Sequence, residues 1–281
     1  PAAKNPTGSR SSGVESAHQG RGNDMPASRP MLFALVLVLA PRLATSQGVA
    51  LTPEQMAVFL AKAEVIRERS TSDGVTRPVR ATLSDGVFTH DAQFQTVNQA
   101  MPLFTAGKNS EVDFKDTYRF NIAGYRLAQL VGIETVPMSV PRKYKGKEAA
   151  VTWWIDDVMF DEAGRQKLQD KLGPDPERTQ KQIYIMRLWD ELIQNKDRNS
   201  GNLLWTKDWT LWLIDHTRAF RSGGALLKPN ELLRVDRTVL DKMKQLTEAT
   251  LSRTMKGILT QNEIRPLLKR RDAIVAHFEK Q

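Results

Sequence analysis

Apolar and polar positions change period along this chain, and each change marks an element. Thr52-Pro53-Glu54-Gln55 reads as a capping box with proline at the first helical position. Met56, Phe59, Leu60 and Ala63 then fall on one face, which predicts a helix to about Arg69. Residues 70–78 read as a loop. Segments 80–83 and 87–97 flank Ser84-Asp85-Gly86 and predict a hairpin. Residues 98–113 are polar and irregular. Helical spacing returns over 114–131, where Phe120, Ala123, Leu127, Leu130 and Val131 repeat and Gly132 is the stop.

A second hairpin is predicted from 138–140 and 149–155, turning at Lys145-Gly146. Asp175-Pro176 caps a long helix reaching Asn195, with Ile185, Leu188, Trp189 and Leu192 on its buried face. A polar loop follows. Leu203, Leu204 and Trp205 form a short strand, 206–208 a turn and 209–214 the return strand. Alternation in that second strand is imperfect, so it is mostly buried. After Phe220 the chain reads as loop and helices, with no internal repeat. The pattern is α+β: a small lobe of strands with one inserted helix, then a mainly helical lobe.

The N-terminal stretch breaks this regime. Residues 1–30 are rich in Ser, Gly, Pro and Ala and have no period. An apolar run at 32–40 has Arg29 before it and Ala44-Thr45-Ser46 after it. A short apolar core with those flanks reads as a secretory signal rather than a spanning helix. Cleavage is expected before Gln47, with translation starting at Met25 or Met31. The organisation expected is a disordered extension and signal peptide at 1–46, an N-terminal helix at 47–69, the small lobe at 70–157 and the helical lobe at 158–281. The mature chain would be exported, periplasmic or extracellular, with no transmembrane anchor after cleavage. Without the signal it would be cytoplasmic.

Composition narrows the classes. The chain has 281 residues, 40% of them hydrophobic, with six Trp and ten Phe, enough to fill one bilobal core. With no cysteine it has no disulfide, thiolate metal site or cysteine nucleophile. The net charge of +9 is spread along the chain, with local runs at 142–147 and 269–271. No zinc-finger spacing or RNA-binding aromatic signature accompanies it, so no nucleic-acid partner is expected.

The candidate chemistry lies in 192–220, L-I-Q-N-K-D-R-N-S-G-N-L-L-W-T-K-D-W-T-L-W-L-I-D-H-T-R-A-F. Asp197 sits in the polar loop, Asn202 five residues on, and Asp215 at the end of the second strand. Mg²⁺ prefers oxygen ligands and is usually held by one or two carboxylates plus substrate phosphates. Ordinary protein kinases carry H-R-D before this loop and D-F-G after the hairpin. The D-R-x-x-x-N form with an I-D-x ending instead resembles the phosphatidylinositol-kinase-like branch. That branch includes HipA-type toxin kinases and secretory-pathway casein kinases of the Golgi type. Residues 114–137, F-K-D-T-Y-R-F-N-I-A-G-Y-R-L-A-Q-L-V-G-I-E-T-V-P, look like the αC helix and its exit strand in those families.

The resemblance covers roughly residues 70–280. It implies a bilobal protein-kinase-like fold, with a small β-rich N-lobe, an αC-like helix and a mainly helical C-lobe. It implies ATP or another nucleoside triphosphate as a partner, Mg²⁺ or Mn²⁺ as the metal, and an unknown phosphoacceptor. Asp197 would be catalytic, accepting the proton of the acceptor hydroxyl, and Asn202 and Asp215 would bind metal. Protein serine, glycan, lipid and small molecule all remain open as acceptors.

The chain departs from the pattern in the small lobe. Gln95 stands where the resemblance places the phosphate-contacting lysine, and Asn121 stands where it places the helix glutamate. Two amides can hydrogen-bond each other and leave no unpaired buried charge. They give a phosphate less than an ammonium would. Arg80, Lys108, Lys115 and Arg119 are candidate replacements. The phosphate-covering loop, 74–78, has one glycine, and Gly74 and the Thr76 hydroxyl would contribute its hydrogen bonds. Of Trp153 and Trp154, the second is expected at the adenine and the first in the core. His216 reads as structural, His90 has no second His to share a metal, and Arg198 is expected in an ion pair. Two functions follow: a metal-dependent phosphotransferase, or a pseudokinase or nucleotide-binding regulatory module. Retention of Asp197, Asn202 and Asp215 together favours the enzyme.

Overall fold

The computed structural model describes residues 51–70, 78–106 and 109–280. Helix α1 (Pro53–Lys62) opens with the expected capping box: Gln55 N–H donates to Thr52 Oγ1 (3.3 Å) and Thr52 N–H to Gln55 Oε1 (2.8 Å). It stops at Lys62 rather than Arg69, because Ala63 is extended (φ −58°, ψ 143°) and β1 (Glu64–Ser70) begins. Val65 packs on the small-lobe core while Ile66 faces solvent, a period of two hidden among charged neighbours. Ladder pairing with the next strand overrides the helical propensity of those charged residues.

Strands β2 (Val79–Ser84) and β3 (Thr89–Gln95) form the first predicted hairpin. The stretch expected to be irregular is instead a ribbon of β4 (Asn98–Ala106) and β5 (Asn109–Thr117). Its apolar residues give no period because several face solvent: Met101, Leu103 and Val112 are exposed. Its one close aromatic contact is Phe104 on Phe114, with ring centroids 4.3 Å apart. Helix α2 (Arg119–Val131) therefore starts five residues later than its apolar pattern suggested. The N–H groups before it are taken elsewhere, Thr117 by the Thr217 carbonyl (2.9 Å) and Tyr118 by the Val97 carbonyl (2.7 Å). Gly132 ends it at φ 77°, a left-handed cap that glycine adopts without a Cβ penalty.

Strands β6 (Ser139–Tyr144) and β7 (Lys147–Trp153) complete an antiparallel sheet ordered β1-β2-β3-β7-β6. Strand β8 (Val158–Asp161) and the one-turn α3 (Glu162–Arg165) lead to the long α4 (Pro176–Ile193), capped by the Asp175 carboxylate on Arg178 N–H (2.9 Å). Strands β9 (Leu203–Thr206) and β10 (Leu211–Leu213) form the second-lobe hairpin, with β8 on its other side. Helices α5 (Arg237–Lys244), α6 (Glu248–Thr254) and α7 (Gln261–Glu279) finish the fold. Among the described residues no helix is long and apolar enough to cross a membrane.

Two cores result. Phe59, Leu60, Leu83, Phe94 and Val151 fill the smaller one between α1 and the sheet. The larger one joins α2 to the helical lobe through Phe120, Leu127, Trp189, Leu192, Trp205 and Phe220. Arg270 of α7, fully buried, donates to the carbonyls of Leu192 (2.9 Å), Arg221 (3.1 Å) and Gly223. Burial lowers its guanidinium to about 10, so it stays charged at neutral pH. That clamp fixes the end of α4, where the site begins.

Candidate functional site

Helix α4 ends in a left-handed Gln194 (φ 50°), which turns the chain into the loop carrying Asp197. Asn195 Oδ1 then accepts from Asp197 N–H (3.1 Å), an Asx turn that sets the loop's first residues. Arg198 holds the rest. Its Nε and Nη2 donate to the Asp190 carboxylate (3.0 and 2.9 Å), and its Nη1 to the carbonyls of Asn202 (3.0 Å) and Ile214 (2.7 Å). One guanidinium thus joins the helix to both ends of the β9–β10 hairpin. The expected ion pair is present, and it also does the work of a brace.

The loop and the hairpin bring the three predicted residues into one neighbourhood. Asn202 Nδ2 donates to the Asp197 carbonyl (3.2 Å), which directs its amide. Ile214 N–H donates to the Asn202 carbonyl (3.1 Å), so Asp215 follows directly on a residue tied to Asn202. Asp215 has φ 50°, the left-handed region that costs a non-glycine residue about 1 kcal/mol or more. Its Oδ1 accepts from Thr217 N–H (3.2 Å) and the Thr217 hydroxyl (2.9 Å). The side chain of Asp197 is 45% exposed, so an acceptor can reach it.

The seam between β3 and α2 is neutral. Asn121 Nδ2 donates to Gln95 Oε1 (2.9 Å), and Asn121 Oδ1 accepts from His216 N–H (2.7 Å). Both amides are buried, at the interface of β3, α2 and the residue after Asp215. The two amides that the sequence analysis singled out are thus bonded to each other. His216 is structural: its Nε2 accepts from Trp189 Nε1–H (3.0 Å), and burial pushes its imidazole well below the usual 6.5. Gly124 leaves the ring its room, since a Cβ there would lie 3.2 Å from His216 Cγ.

Other predicted residues stand as follows. Trp154 lies just beyond β7, with the Arg80 guanidinium 4.1 Å from its ring centroid, while Trp153 stacks on His90 (3.8 Å) and belongs to the smaller core. His90 also bonds Asp156 (2.7 Å), as a strand residue and not a metal ligand set. Of the replacement cations, Arg80 is paired with Asp91 (2.5 Å) and Lys115 with Glu263 (3.0 Å), and Arg119 Nε donates to the Thr117 hydroxyl (3.4 Å). Gly74, Thr76, Lys108 and the whole of 1–46 lie outside the described residues.

Four site residues went unforeseen: Glu111, Asp116, Arg218 and Arg221. Arg218 lies 3.4 Å from Asp197 Oδ2 and 3.0 Å from Glu111 Oε2, over the Phe114 ring at 5.0 Å. Arg221 pairs with the other Glu111 oxygen at 2.9 Å. Asp116, at the end of β5, is 9% exposed, and its Oδ1 has no hydrogen-bond partner. Burial raises its carboxyl, and the charges of Asp215 and Asp197 raise it further against the pull of Thr217 and Arg218. The only available signal was D-H-T-R after the second strand. The ribbon residues carried none, because 98–113 showed no period and 114–118 were read as helix.

Among the described residues, no three carboxylate or imidazole groups are arranged to enclose a metal by themselves. The Asn202 amide oxygen and the Asp215 carboxylate are hard donors of the kind that Mg²⁺ or Mn²⁺ takes.

No protein-family model matches the sequence, and no curated protein does. Solved structures do match. The structure of hydra Fam20 with sugar aligns at TM-score 0.58 and 14% identity, covering 81% of this chain and 89% of that one. The Golgi casein kinase aligns at 0.53 and 14%, covering 81% and 74%. Its form with Mn/ADP bound aligns at 0.53 and 13%, covering 80% and 74%. The chain therefore has the atypical kinase fold expected of it: an antiparallel-sheet lobe with an inserted helix, followed by a helical lobe.

Proposed function

We propose that this chain is a phosphotransferase that uses ATP and a divalent metal ion on an alcohol or protein acceptor. The reading is carried by one observation: Arg198 bonds Asp190, Asn202 and Ile214 together, so Asp197, Asn202 and Asp215 share a single rigid frame. Positioning is most of what a protein supplies to phosphoryl transfer. The Mn/ADP complex of a solved structure with this fold supports the choice of ligands.

In this reading Asp215 and Asn202 would hold Mg²⁺ or Mn²⁺, and the ion would supply charge neutralisation to the nucleotide phosphates. Asp197 orients the acceptor hydroxyl and takes its proton. The acceptor oxygen bonds the γ-phosphorus, the bond from that phosphorus to the β–γ bridging oxygen breaks, and the nucleoside diphosphate leaves. Arg218 steadies the Asp197 carboxylate. Gln95 and Asn121 hold α2 against β3, and Trp154 lies on the exit from the small-lobe sheet, where an adenine would stack.

The test is nucleotide titration with and without Mn²⁺, together with ADP release. Asp215→Ala is expected to abolish metal-dependent nucleotide binding. Asp197→Ala should leave binding intact and lower turnover by about 10²–10⁴-fold. A wild-type chain that binds nucleotide but releases no ADP would instead be a nucleotide-binding regulatory module, the reading that the buried Gln95–Asn121 pair favours.

A further inference from the structure

Arg218 is held firmly by Glu111 and loosely by Asp197. Its Nη2 donates to Glu111 Oε2 (3.0 Å), and its guanidinium lies 5.0 Å from the Phe114 ring centroid. Arg221, almost fully buried, pairs with the other Glu111 oxygen (2.9 Å) and donates through Nε to the Arg218 carbonyl (2.9 Å). Side chain and backbone of Arg218 are thus both fixed by buried neighbours. The contact with Asp197 is of another kind. Arg218 Nη1 lies 3.4 Å from Asp197 Oδ2, whereas a fully made guanidinium–carboxylate hydrogen bond is about 2.7–2.9 Å. Both side chains keep solvent access, 29% for Arg218 and 45% for Asp197. A charged donor therefore stands beside Asp197 without being spent on it.

The charge balance says what such a donor serves. Asp215 and Asp197 lie close enough to Asp116 for their charges to raise its carboxyl. Among the described residues, the only ion pair made by Asp197 or Asp215 is the one with Arg218. A triphosphate arriving here adds negative charge, and Gln95, at the strand position where the resemblance places a lysine, supplies no positive charge to meet it. We propose that Arg218 is a catalytic residue whose guanidinium donates to the γ-phosphoryl oxygens during transfer. The inference deepens the phosphotransferase reading and rests on it for the place of the acceptor. In that reading the acceptor hydroxyl bonds Asp197 at about 2.6–3.2 Å, and the reacting oxygen and phosphorus start about 3–3.5 Å apart. A guanidinium 3.4 Å from the same carboxylate needs only a small side-chain adjustment to meet the equatorial oxygens. Arginine suits the task, because its fork is planar, permanently charged and pre-organised. The bonds made and broken are those of the transfer itself. Arg218 gives up no proton, and Asp197 still takes the one from the hydroxyl. Trading its long contact with Asp197 for phosphoryl oxygens also releases that carboxylate to act as the base.

The experiment compares the affinity of the full chain, in Mn²⁺, for ADP and for the β,γ-imido analogue of ATP, with ADP release from ATP beside it. Arg218→Gln should lose affinity for the imido analogue about tenfold or more and keep its affinity for ADP. Its ADP release should slow by about 10²–10³-fold. A residue that only braced the β4–β5 ribbon would weaken both nucleotides alike or neither. Arg218→Lys, which keeps the charge without the fork, should recover part of each loss, and the exposed Arg265→Gln should change nothing. Arg218→Met, whose apolar stem still covers Phe114, is the second variant should the amide misfold. On the wild type, the imido analogue and not ADP should shield Arg218 from phenylglyoxal. A wild-type affinity ratio in either folded variant overturns the inference, as does equal shielding by the two nucleotides. A wild type that binds neither nucleotide defeats the phosphotransferase reading and this inference with it. One that binds both, with a ratio independent of Arg218, defeats this inference alone.

Discussion

The two sides of the candidate site solve opposite electrostatic problems. The wall from the helical lobe is built of charges: Asp190 braced by Arg198, Asp197 beside Arg218, and Asp215 at the end of the hairpin. The β3–α2 seam of the small lobe meets it with Gln95 and Asn121, two amides bonded at 2.9 Å, while Glu111 of β5 joins the charged side through Arg218 and Arg221. A charge needs a partner once it is buried, so the first wall is a chain of paired groups in which each loss exposes another. The buried amides carry no charge to pair, and they bond each other and the His216 N–H. Under the proposed function, positive charge at the phosphates would come from somewhere other than β3.

The largest effect should come from breaking the charged wall at its brace. Arg198→Ala leaves Asp190 without its guanidinium and frees two carbonyls. Destabilisation of about 3–5 kcal/mol is expected, measured by urea unfolding. Arg198→Lys should recover little of it, because an ammonium cannot serve the carboxylate and both carbonyls as the planar fork does. Loss under 1 kcal/mol in Arg198→Ala would mean that the brace is ornamental.

Next is the neutral amide pair. Gln95→Lys introduces a buried ammonium beside Asn121 and should destabilise by about 1–3 kcal/mol. Adding Asn121→Glu should recover part of this through the restored ion pair. A double-mutant cycle gives the coupling, and values within about 0.3–0.5 kcal/mol of zero in folded variants would show that the two positions do not act as a pair.

A smaller effect concerns the seam. His216 donates its backbone N–H to Asn121 and receives the Trp189 indole N–H on its ring. Its folded pKa is depressed by burial, so folding binds fewer protons than unfolding does below the ordinary value. Stability should be intact above about pH 6.5 and fall by up to about 1.4 kcal/mol per pH unit below it. His216→Gln should flatten that slope in a pH series of unfolding curves. An unchanged slope would place the acid sensitivity in other groups.

The smallest effect is expected in the ribbon. Phe104→Ala removes a half-exposed ring from Phe114 and should cost about 0.5–1.5 kcal/mol, seen as a modest drop in melting temperature. A loss as large as that of the brace would make β4–β5 part of the main core.

Sequence reading succeeded where one face of an element is buried. The α2 and α4 stripes and both hairpin pairs lie on such elements, and the structure hydrogen-bonds the two neutral residues, Gln95 and Asn121, that the resemblance set opposite each other. It failed where burial is shared unevenly. Glu64-Val65-Ile66-Arg67 alternates, but its charges mimic a helix face, and only the neighbouring β2 reveals the strand. The ribbon of β4 and β5 hides its register because its apolar residues are scattered over a largely solvated surface. Asp116 and Glu111 were lost with it, since their roles depend on residues about a hundred positions further along the chain.

The amide pair has one more consequence, which concerns ionic strength. Attraction between ions weakens as salt shortens the screening length, which is about 10 Å at 0.1 M. The Gln95–Asn121 bond joins two groups with no net charge and no titrating proton. The Gln95–Asn121 link between α2 and β3 therefore depends little on salt, whereas the half-exposed contact of Arg218 with Asp197 is screened by it. One side of the site is thus joined by a bond indifferent to ionic strength, and the other by a contact that ionic strength weakens.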